Sequence, residues 1–320
     1  MTDIPISPRF ISASGRSGST WVQDCLAQAN GCVTLFEPLH EERTREAHAH
    51  AFRYLHEDDA DAELERFFDG VFRGEIGRLW ARYRINRKHF WHGPQVFLSY
   101  GKLHRQIAKY RRLYRNYRQY RGEFSGPAVV KFIRANCMIG WLARTYRAPS
   151  MVLLRHPCAV AESKRRMAIW SSDFALERYY ADPRLADALA GIALPDYRTL
   201  GQVSRFVLHW CIETRVALDQ AQRCGIPVIF YERLVADPDR EWRRAADALG
   251  LDKAPDESVT RRRSQQAAGE GKDGTYDLSF LIRWRERLSG AEREEARAML
   301  ELFRITYYSV DGPMPEEGRP

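Results

Sequence analysis

The stretch SGRSGSTW, residues 14–21, joins a short apolar run to a segment with apolar residues at helical spacing. Its glycines, Gly15 and Gly18, let backbone amides approach an oxyanion, and the N-terminus of the following helix offers unpaired N–H groups and a partial positive charge. Four polar side chains complete the predicted shell around the anion: Arg16, Ser17, Ser19 and Thr20. The stretch therefore predicts an anion-binding loop between a strand and a helix. The alternative is a purely structural Gly/Ser turn.

The same loop differs from the ATP-binding loop G-x-x-x-x-G-K-[ST]. Its two glycines are only three residues apart, Arg16 precedes the second glycine, and Ser19 stands where that loop has lysine. These differences weaken the alternative of a kinase that uses ATP and magnesium.

Five short apolar runs recur outward from this loop, at residues 10–14, 32–36, 128–133, 151–154 and 227–231. Helical patterns lie between them, at residues 20–29, 138–146, 159–168 and 203–223. A further helix is expected to begin at Asp237-Pro238 and to end at Gly250. Strands that alternate with helices predict an α/β fold with a central parallel sheet flanked by helices.

Three regions depart from this alternation within what we expect to be a single domain, residues 1–320. Residues 41–126 carry charged helical segments and are predicted to be a helical insertion that shapes the acceptor site. Residues 259–277 are polar and contain glycine, which predicts a mobile loop. Residues 311–320 are expected to form a loose tail.

A second anion site is predicted in MVLLRHPCAVAESKRRM, residues 151–167, where a buried strand ends at Arg155. Pro157 then breaks the strand, and a helix follows that carries Ser163. Arginine binds phosphate oxygens in a fork and does not hold a metal ion, so the pattern indicates an anion pocket without magnesium. The alternative is that Arg155 is an ordinary surface ion-pair partner.

Composition limits the classes of partner. The formal charge of +8 and the pI of about 9.2 favour an anionic partner, which could be a nucleotide, a polysaccharide, a membrane surface or a nucleic acid. The six cysteines are scattered, so we expect reduced thiols rather than a zinc or redox site. No apolar stretch is long enough to span a bilayer and no signal peptide is evident, so a cytoplasmic protein is expected.

Taken together, RSGSTW at 16–21 and LLRHPCAVAESK at 153–164 resemble the two elements with which the sulfotransferase superfamily binds 3′-phosphoadenosine 5′-phosphosulfate (PAPS). The resemblance continues in FEPLH, VVKFIRA, FYERLVADP and LIRWRERLSGAE, at residues 36–40, 129–135, 230–238 and 281–292, and is closest to the carbohydrate-type and bacterial branch. It implies a three-layer P-loop-like fold, PAPS as the sulfuryl donor, 3′,5′-ADP as the product, and no metal.

The resemblance also implies roles for the residues of the two elements. The residues from Arg16 to Trp21 (Arg16, Ser17, Gly18, Ser19, Thr20 and Trp21) would hold the 5′-phosphosulfate, and Arg155 and Ser163 would hold the 3′-phosphate. Carbohydrate enzymes often read R-D-P-R where this chain has Arg155-His156-Pro157-Cys158, so the acceptor class does not transfer with the motif.

Candidate catalytic residues follow from charge and position. Arg16 would neutralise the bridging oxygen as the S–O bond breaks. Glu37 is the first candidate base, because it follows the predicted second strand, where open α/β sheets place their sites; the alternative is an ion pair with a nearby arginine. His40 is the second candidate base. Lys131 and Arg134 match a K-x-x-R pattern of the carbohydrate-type branch, and the resemblance implies that they would face the sulfuryl group or an acidic acceptor. Structural roles are expected for His209, Glu232 and Trp284.

The acceptor is not evident from the sequence. A glycan, a lipid-linked sugar and a small natural product all fit, with sulfation at a hydroxyl or an amine. Residues 102–121, rich in Lys, Arg and Tyr, predict an amphipathic helix, with binding of a polyanion or an anionic surface, or of a nucleic acid, as alternatives. We expect no nucleic-acid partner and no transmembrane segment, and peripheral membrane contact stays open. The rival functions are a P-loop kinase and a non-catalytic anion- or RNA-binding protein.

Overall fold

A computed structural model describes residues 4–42, 44–76, 125–167, 171–260 and 278–316. Within these residues the core is one sheet of five parallel strands in the order β2-β3-β1-β4-β5. The strands are β1 (Ile6–Ser12), β2 (Val33–Phe36), β3 (Gly126–Phe132), β4 (Ser150–Leu154) and β5 (Val228–Phe230). The predicted α/β fold with a central parallel sheet is confirmed.

The helices of the described residues lie between and after these strands. They are α1 (Ser19–Asn30), α2 (Ala62–Phe72), α3 (Ile139–Thr145), α4 (Pro157–Arg166), α5 (Asp173–Ala181), α6 (Pro183–Ala188), α7 (Gln202–Cys224), α8 (Tyr231–Ala236), α9 (Pro238–Ala248), α10 (Glu257–Thr260), α11 (Trp284–Arg287) and α12 (Gly290–Leu302). Short 3-10 helices occupy Arg45–Ala49, Asn136–Met138, Tyr197–Thr199 and Leu278–Leu281.

The sheet is covered on both faces, because alternate residues of a strand point to opposite sides. Phe10 and Val130 belong to a core that also contains side chains of α2, α3, α4, α7 and α12. Ile11 and Val129 belong to a second core with α1, α8 and α9. The molecule is therefore a three-layer sandwich, and its strands are apolar on both faces as buried parallel strands require.

Strand β1 begins four residues earlier than the apolar run predicted, and it includes Pro8. Its full length pairs with β3, whereas only Phe10 to Ser12 pair with β4. At Pro8 the side of β1 toward β4 is therefore open, and the missing proline N–H leaves no gap in a ladder there. This local edge is why a proline in the sequence does not end the strand.

The order of the strands creates a crevice beside β1. The chain leaves β1 through α1 and travels outward to β2 beyond β3, and it later crosses to β4 on the other side of β1. In open α/β sheets ligands bind at such a reversal, outside the carboxyl ends of the strands. The loops that follow β1 and β4 are the two predicted anion sites, and both lie at this edge.

The three irregular regions are described only in part. Helix α2, within the predicted insertion 41–126, packs Phe72 against Phe10 and Phe68 against Phe132 of the sheet. The basic segment 102–121 and residues 261–277 of the predicted loop lie outside the described residues. In the tail, Asp311 pairs with Arg297 at 2.9 Å. No helix in the described part of the chain is both long and apolar enough to cross a membrane.

Candidate functional site

The loop after β1 has an unusual backbone. Gly18 has a φ of 83° and caps the N-terminus of α1, and Arg16, which is not a glycine, has a φ of 76°. A Cβ at Gly18 would lie 2.6 Å from Cδ2 of Tyr231, so the loop lies tightly against that ring. The left-handed turns at residues 16 and 18 fold the loop back over the start of α1, where backbone N–H groups have no helical partners.

Arg16 and Arg155 join the two predicted anion elements directly. The Nε of Arg16 donates to the hydroxyl of Ser163 on α4 at 3.1 Å. In return, Nη1 of Arg155, at the end of β4, donates to the backbone carbonyl of Arg16 at 3.0 Å. The Arg155 guanidinium also lies 4.6 Å from the ring centroid of Tyr231. The structure thus brings Arg16, Arg155 and Ser163 together in one place.

This group concentrates positive charge away from water. Burial, together with the neighbouring cations Arg155 and Arg166, lowers the pKa of Arg16 to about 10, although Glu162 and Tyr231 act in the opposite direction. A guanidinium with that pKa is still protonated at neutral pH. Because charges interact more strongly where water is excluded, an anion entering here would relieve the repulsion between these cations.

Glu37 lies in a buried ion-pair cluster at the ends of β2 and β3. Its Oε1 is 2.8 Å from Nζ of Lys131, and its Oε2 is 3.3 Å from Nη1 of Arg134 and accepts the backbone N–H of Ile133 at 3.2 Å. The register of β2 against β3 sets Phe36 opposite Lys131, and this pairing delivers the lysine to the carboxylate. The ion-pair alternative for Glu37 is therefore present in the structure, and its role as a base stays a prediction.

The other candidates surround this cluster. Arg134 also bonds to Glu41, and Nδ1 of His40 lies 3.8 Å from Oε2 of the same carboxylate. Nζ of Lys131 lies 3.8 Å from the ring centroid of Phe36. Lys131 and His40 are thus both held among carboxylates at the end of β2.

Trp21 lies in the core rather than on the open side of the loop. Its indole N–H donates to the carbonyl of Thr260 at 3.1 Å, and its ring meets that of Trp242 edge-on at 4.9 Å. Contact of this side chain with a cofactor, which the resemblance implied, stays a prediction. Ser19 and Thr20 are buried in the first turn of α1, next to the capping Gly18.

The turn that carries Arg155 is held by residues that sequence reasoning assigned no role in the site. His156 caps α4 by accepting the N–H of Cys158 at Nδ1, at 3.2 Å, and its Nε2–H donates to the carbonyl of Ser309 at 2.9 Å. Its ring stacks on Trp284 at 4.3 Å. Burial lowers the pKa of His156 to about 4, so it is neutral in the folded protein at neutral pH.

Glu232 completes the support of this turn. Its Oε1 accepts the backbone N–H of His156 at 2.9 Å, and its Oε2 accepts the hydroxyl of Tyr308 at 2.8 Å. Burial raises the pKa of Glu232 against the effects of these bonds and of Arg155. These contacts are structural, as the sequence predicted for Glu232 and Trp284. No sequence pattern indicated that Tyr231 and His156 support the site. Their contacts are with residues far along the chain, which no local motif reveals.

The described residues contain no group of three or more His, Cys, Asp or Glu side chains placed to hold a metal ion.

Comparison with known proteins gives two similar solved structures. One is the sulfotransferase domain from the Synechococcus PCC 7002 olefin synthase, with 19% identity and a TM-score of 0.47 over 95% of this chain and 97% of that chain. The other is the sulfotransferase domain from the curacin biosynthetic pathway, with 17% identity and a TM-score of 0.47 over 96% of this chain and 99% of that chain. No family model matches the chain, and no curated protein matches it.

Proposed function

We propose that this protein is a sulfotransferase that moves a sulfuryl group from PAPS to an acceptor hydroxyl or amine and releases 3′,5′-ADP. The observation that carries the proposal is the bonded group of Arg16, Ser163 and Arg155, which unites the loop after β1 with the start of α4. A nucleotide with anionic groups at both its 5′ and 3′ positions would need two such elements in one crevice.

Unpartnered polar atoms support the fit of such a nucleotide. Among the described residues, the hydroxyls of Ser14 and Ser17 and the Nε of Arg155 are buried without a hydrogen-bond partner. Buried polar atoms of this kind are costly unless a ligand or water completes them. Ser17 and Arg155 belong to the two elements that the resemblance assigns to PAPS, and Ser14 lies two residues before the first of them. Hydroxyl and guanidinium N–H groups are suitable donors to phosphate and sulfate oxygens.

The chemistry asks little of the protein beyond placement and charge. PAPS, when bound, supplies a sulfuryl group attached to a phosphate leaving group, and in-line transfer of this kind depends on positioning and on stabilised negative charge. Arg16 would hold the charge that develops on the leaving oxygen, while Arg155 and Ser163 hold the ribose phosphate. Lys131, kept in place by Glu37, would add positive charge on the acceptor side.

The acceptor and the cellular setting complete the proposal. We place the acceptor among glycans, lipid-linked sugars and small natural products, modified in the cytoplasm without a nucleic-acid partner. The positively charged cleft would suit an acceptor that is itself anionic.

Thermal unfolding with ligands tests the assignment. In the presence of EDTA, 3′,5′-ADP should raise the melting temperature, since a ligand at about 100 times its Kd adds ~2.7 kcal/mol to the free energy of unfolding. 5′-ADP, which lacks the 3′-phosphate, should raise it much less, and so should ATP with magnesium. A larger effect of ATP with magnesium would favour a kinase and contradict the proposal.

Matched variants locate the effect. Arg155→Ala and Ser163→Ala should reduce the preference for 3′,5′-ADP over 5′-ADP, whereas Arg215→Ala, which removes a surface arginine paired with Asp219, should leave it intact. Arg16→Ala should reduce transfer from PAPS by ~10²-fold or more. Salt-sensitive RNA binding that survives Arg16→Ala would instead support the non-catalytic alternative.

A further inference from the structure

A buried chain of polar groups lies on the inner face of α7 and is not used by the site described above. Nδ1 of His209 is 3.0 Å from the hydroxyl of Ser172, the residue that precedes α5. Nε2 of the same ring is 3.0 Å from Oε1 of Glu213, one turn further along α7. Tyr179 of α5 donates its hydroxyl to Glu213 at 3.1 Å. The order of groups is hydroxyl, imidazole, carboxylate.

The carboxylate decides which nitrogen of His209 carries the proton. An ionised carboxylate accepts hydrogens and donates none, so its charge 3.0 Å away favours the tautomer with the hydrogen on Nε2, although the two atoms are not aligned as a hydrogen bond in this structure. Nδ1 is then the basic nitrogen, and the Ser172 hydroxyl donates to it. A histidine oriented by a carboxylate in this way, with its free nitrogen against a hydroxyl, is arranged to remove the proton from that hydroxyl.

The charges around His209 keep its ring neutral, which leaves a lone pair on Nδ1 that can accept a proton. Burial lowers its pKa, Lys164 on α4 and Arg134 after β3 lower it further, and Glu213 opposes them from its own helix. Burial alone would raise the pKa of Glu213, but His209 and Lys164 outweigh it. Tyr179 faces the pair as a neutral donor, because burial raises its pKa well above the usual value. Clusters of buried titratable groups with opposed shifts often mark functional sites.

The cluster adjoins the proposed reaction centre through three neighbours. The ring centroid of Phe52 is 5.8 Å from the ring centroid of His209 and 5.7 Å from the guanidinium carbon of Arg134. Arg134 in turn bonds to Glu37. Lys164 follows Ser163, the residue bonded to Arg16, and its charge interacts with both Arg16 and Glu213. Ser172 is itself buried and follows the exposed Ser171.

We propose that Ser172, His209 and Glu213 form the proton relay that deprotonates the acceptor, a proposal that rests on the sulfotransferase function. The acceptor oxygen forms a bond to sulfur while the bond from sulfur to the bridging phosphate oxygen breaks, and the electron pair leaves with 3′,5′-ADP. The acceptor's proton passes to the Ser172 hydroxyl as that hydroxyl gives its own proton to Nδ1 of His209. Glu213 stabilises the imidazolium that results.

Glu37 is less suited to this step. Both of its oxygens are engaged, one by Lys131 and the other by Arg134 and the Ile133 amide. Nδ1 of His209 has a hydroxyl as its hydrogen-bonded neighbour, so a proton can pass to it along a bond already formed.

Nitrogen-15 NMR of histidine-labelled protein tests the geometry without any substrate. The His209 signals, identified by their loss in His209→Gln, should show a neutral ring protonated at Nε2 at neutral pH. In Glu213→Gln the preference for that tautomer should disappear, because an amide can donate as well as accept. A ring protonated at Nδ1, or a charged ring at neutral pH, would overturn the relay.

Release of 3′,5′-ADP from PAPS tests the step itself, with water and p-nitrophenol as the acceptor probes. His209→Gln should lower the rate of 3′,5′-ADP release by ~10²-fold or more. The decline of this rate at acid pH, which the wild type should show, should disappear in the variant because the group that titrates is gone. Affinity for 3′,5′-ADP should change by less than about two-fold. His50→Gln is the matched control, since His50 is also buried with a pKa lowered by burial and lies outside the relay.

The outcomes separate the two proposals. If the wild-type protein neither binds 3′,5′-ADP nor consumes PAPS, the sulfotransferase function fails, whatever the NMR spectra show. If the wild type is active and Glu37→Gln abolishes the activity while His209→Gln keeps the rate and the acid decline, then Glu37 is the base and the relay is wrong.

Discussion

Gly18 is the residue where the site depends most on the absence of a side chain. Its φ of 83° favours glycine, and a Cβ there would lie 2.6 Å from the ring of Tyr231, which is itself stacked with Arg155. We expect Gly18→Ala to lower the free energy of unfolding by about 2–4 kcal/mol, from backbone strain plus overpacking. Denaturant unfolding measures this loss, and binding of 3′,5′-ADP should weaken with it.

Gly31 provides the matched control for this prediction. It caps the other end of α1 with a φ of 65°, but a Cβ there would meet no atom within 4 Å. Gly31→Ala should therefore cost only the strain of the left-handed backbone, about 1–2 kcal/mol, and should leave ligand affinity unchanged. Equal losses in the two variants would show that the contact with Tyr231 does not matter.

The chemistry of single residues was predictable where the motif itself carries it. Arginines and hydroxyls beside glycines indicated the anion loop, and the structure brings Arg16, Arg155 and Ser163 together. The left-handed backbone of Arg16 and Glu37 was not predictable, because neither is a glycine and the conformation is imposed by tertiary contacts. The partners of Glu37 likewise depend on the register of β2 against β3, which no local pattern specifies.

At the scale of elements, the turn from β4 into α4 carries Arg155 and depends on His156. The folded protein holds this ring neutral with a pKa of about 4, whereas an unfolded histidine titrates near its usual value of 6.5. Between these values the unfolded chain binds more protons, so stability is fully present above about pH 6.5 and is lost as the pH falls toward 4. The expected loss from this residue is about 3 kcal/mol.

His156→Asn isolates this contribution. Asparagine can still accept the N–H of Cys158 as a helix cap, but it does not titrate. Urea unfolding at about pH 7.5 and about pH 5 should give a smaller difference for the variant than for the wild type. Other buried histidines, such as His50, are present in both proteins, so their contributions to the pH dependence cancel in the comparison. An unchanged pH dependence would mean that His156 is already protonated in the folded state.

The elements themselves followed well from periodicity, and their junctions did not. All five predicted strands are present, and the helix predicted over residues 203–223 ends as α7 at Cys224, where Gly225 has the left-handed backbone that helix ends favour. The start of β1 was missed because the apolar run begins at Phe10, whereas the strand also contains Pro8, whose open side toward β4 makes the missing N–H harmless. The cap of α4 was missed because a histidine is not among the usual capping residues.

At the scale of the molecule, the sheet separates two cores of buried apolar side chains within the described residues. The site lies at the edge of the sheet where both cores end. Arg155 at the end of β4 contacts Tyr231, which belongs to the core with α1, and Ser163 lies on α4, which belongs to the core with α7. The layering was predictable from strands that are apolar on both faces. The return of the C-terminal segment to His156 was not, because a contact between residues 153 positions apart leaves no local trace.

The cysteines allow the two cores to be followed separately. All six are free thiols, and only Cys224 is partly exposed. Three buried thiols lie in the core with α7 and two in the core with α1: Cys137, Cys158 and Cys211, and Cys25 and Cys32, respectively. Burial raises the pKa of Cys158 to about 12, and because the thiolate is the reactive form, such thiols react only after the protein opens.

We therefore expect an aromatic disulfide reagent to modify Cys224 alone in the native protein, and all six thiols in denaturant. Under native conditions the five buried thiols should then react slowly at one common rate, because strands shared by both cores make the layers open together. Peptide mapping by mass spectrometry measures each rate, and 3′,5′-ADP should slow all five by the same factor. If Cys25 and Cys32 reacted faster than the other three thiols, the layer that contains α1 would open by itself. A ligand bound to Ser163, on the opposite face of the sheet, would then protect the two layers unequally.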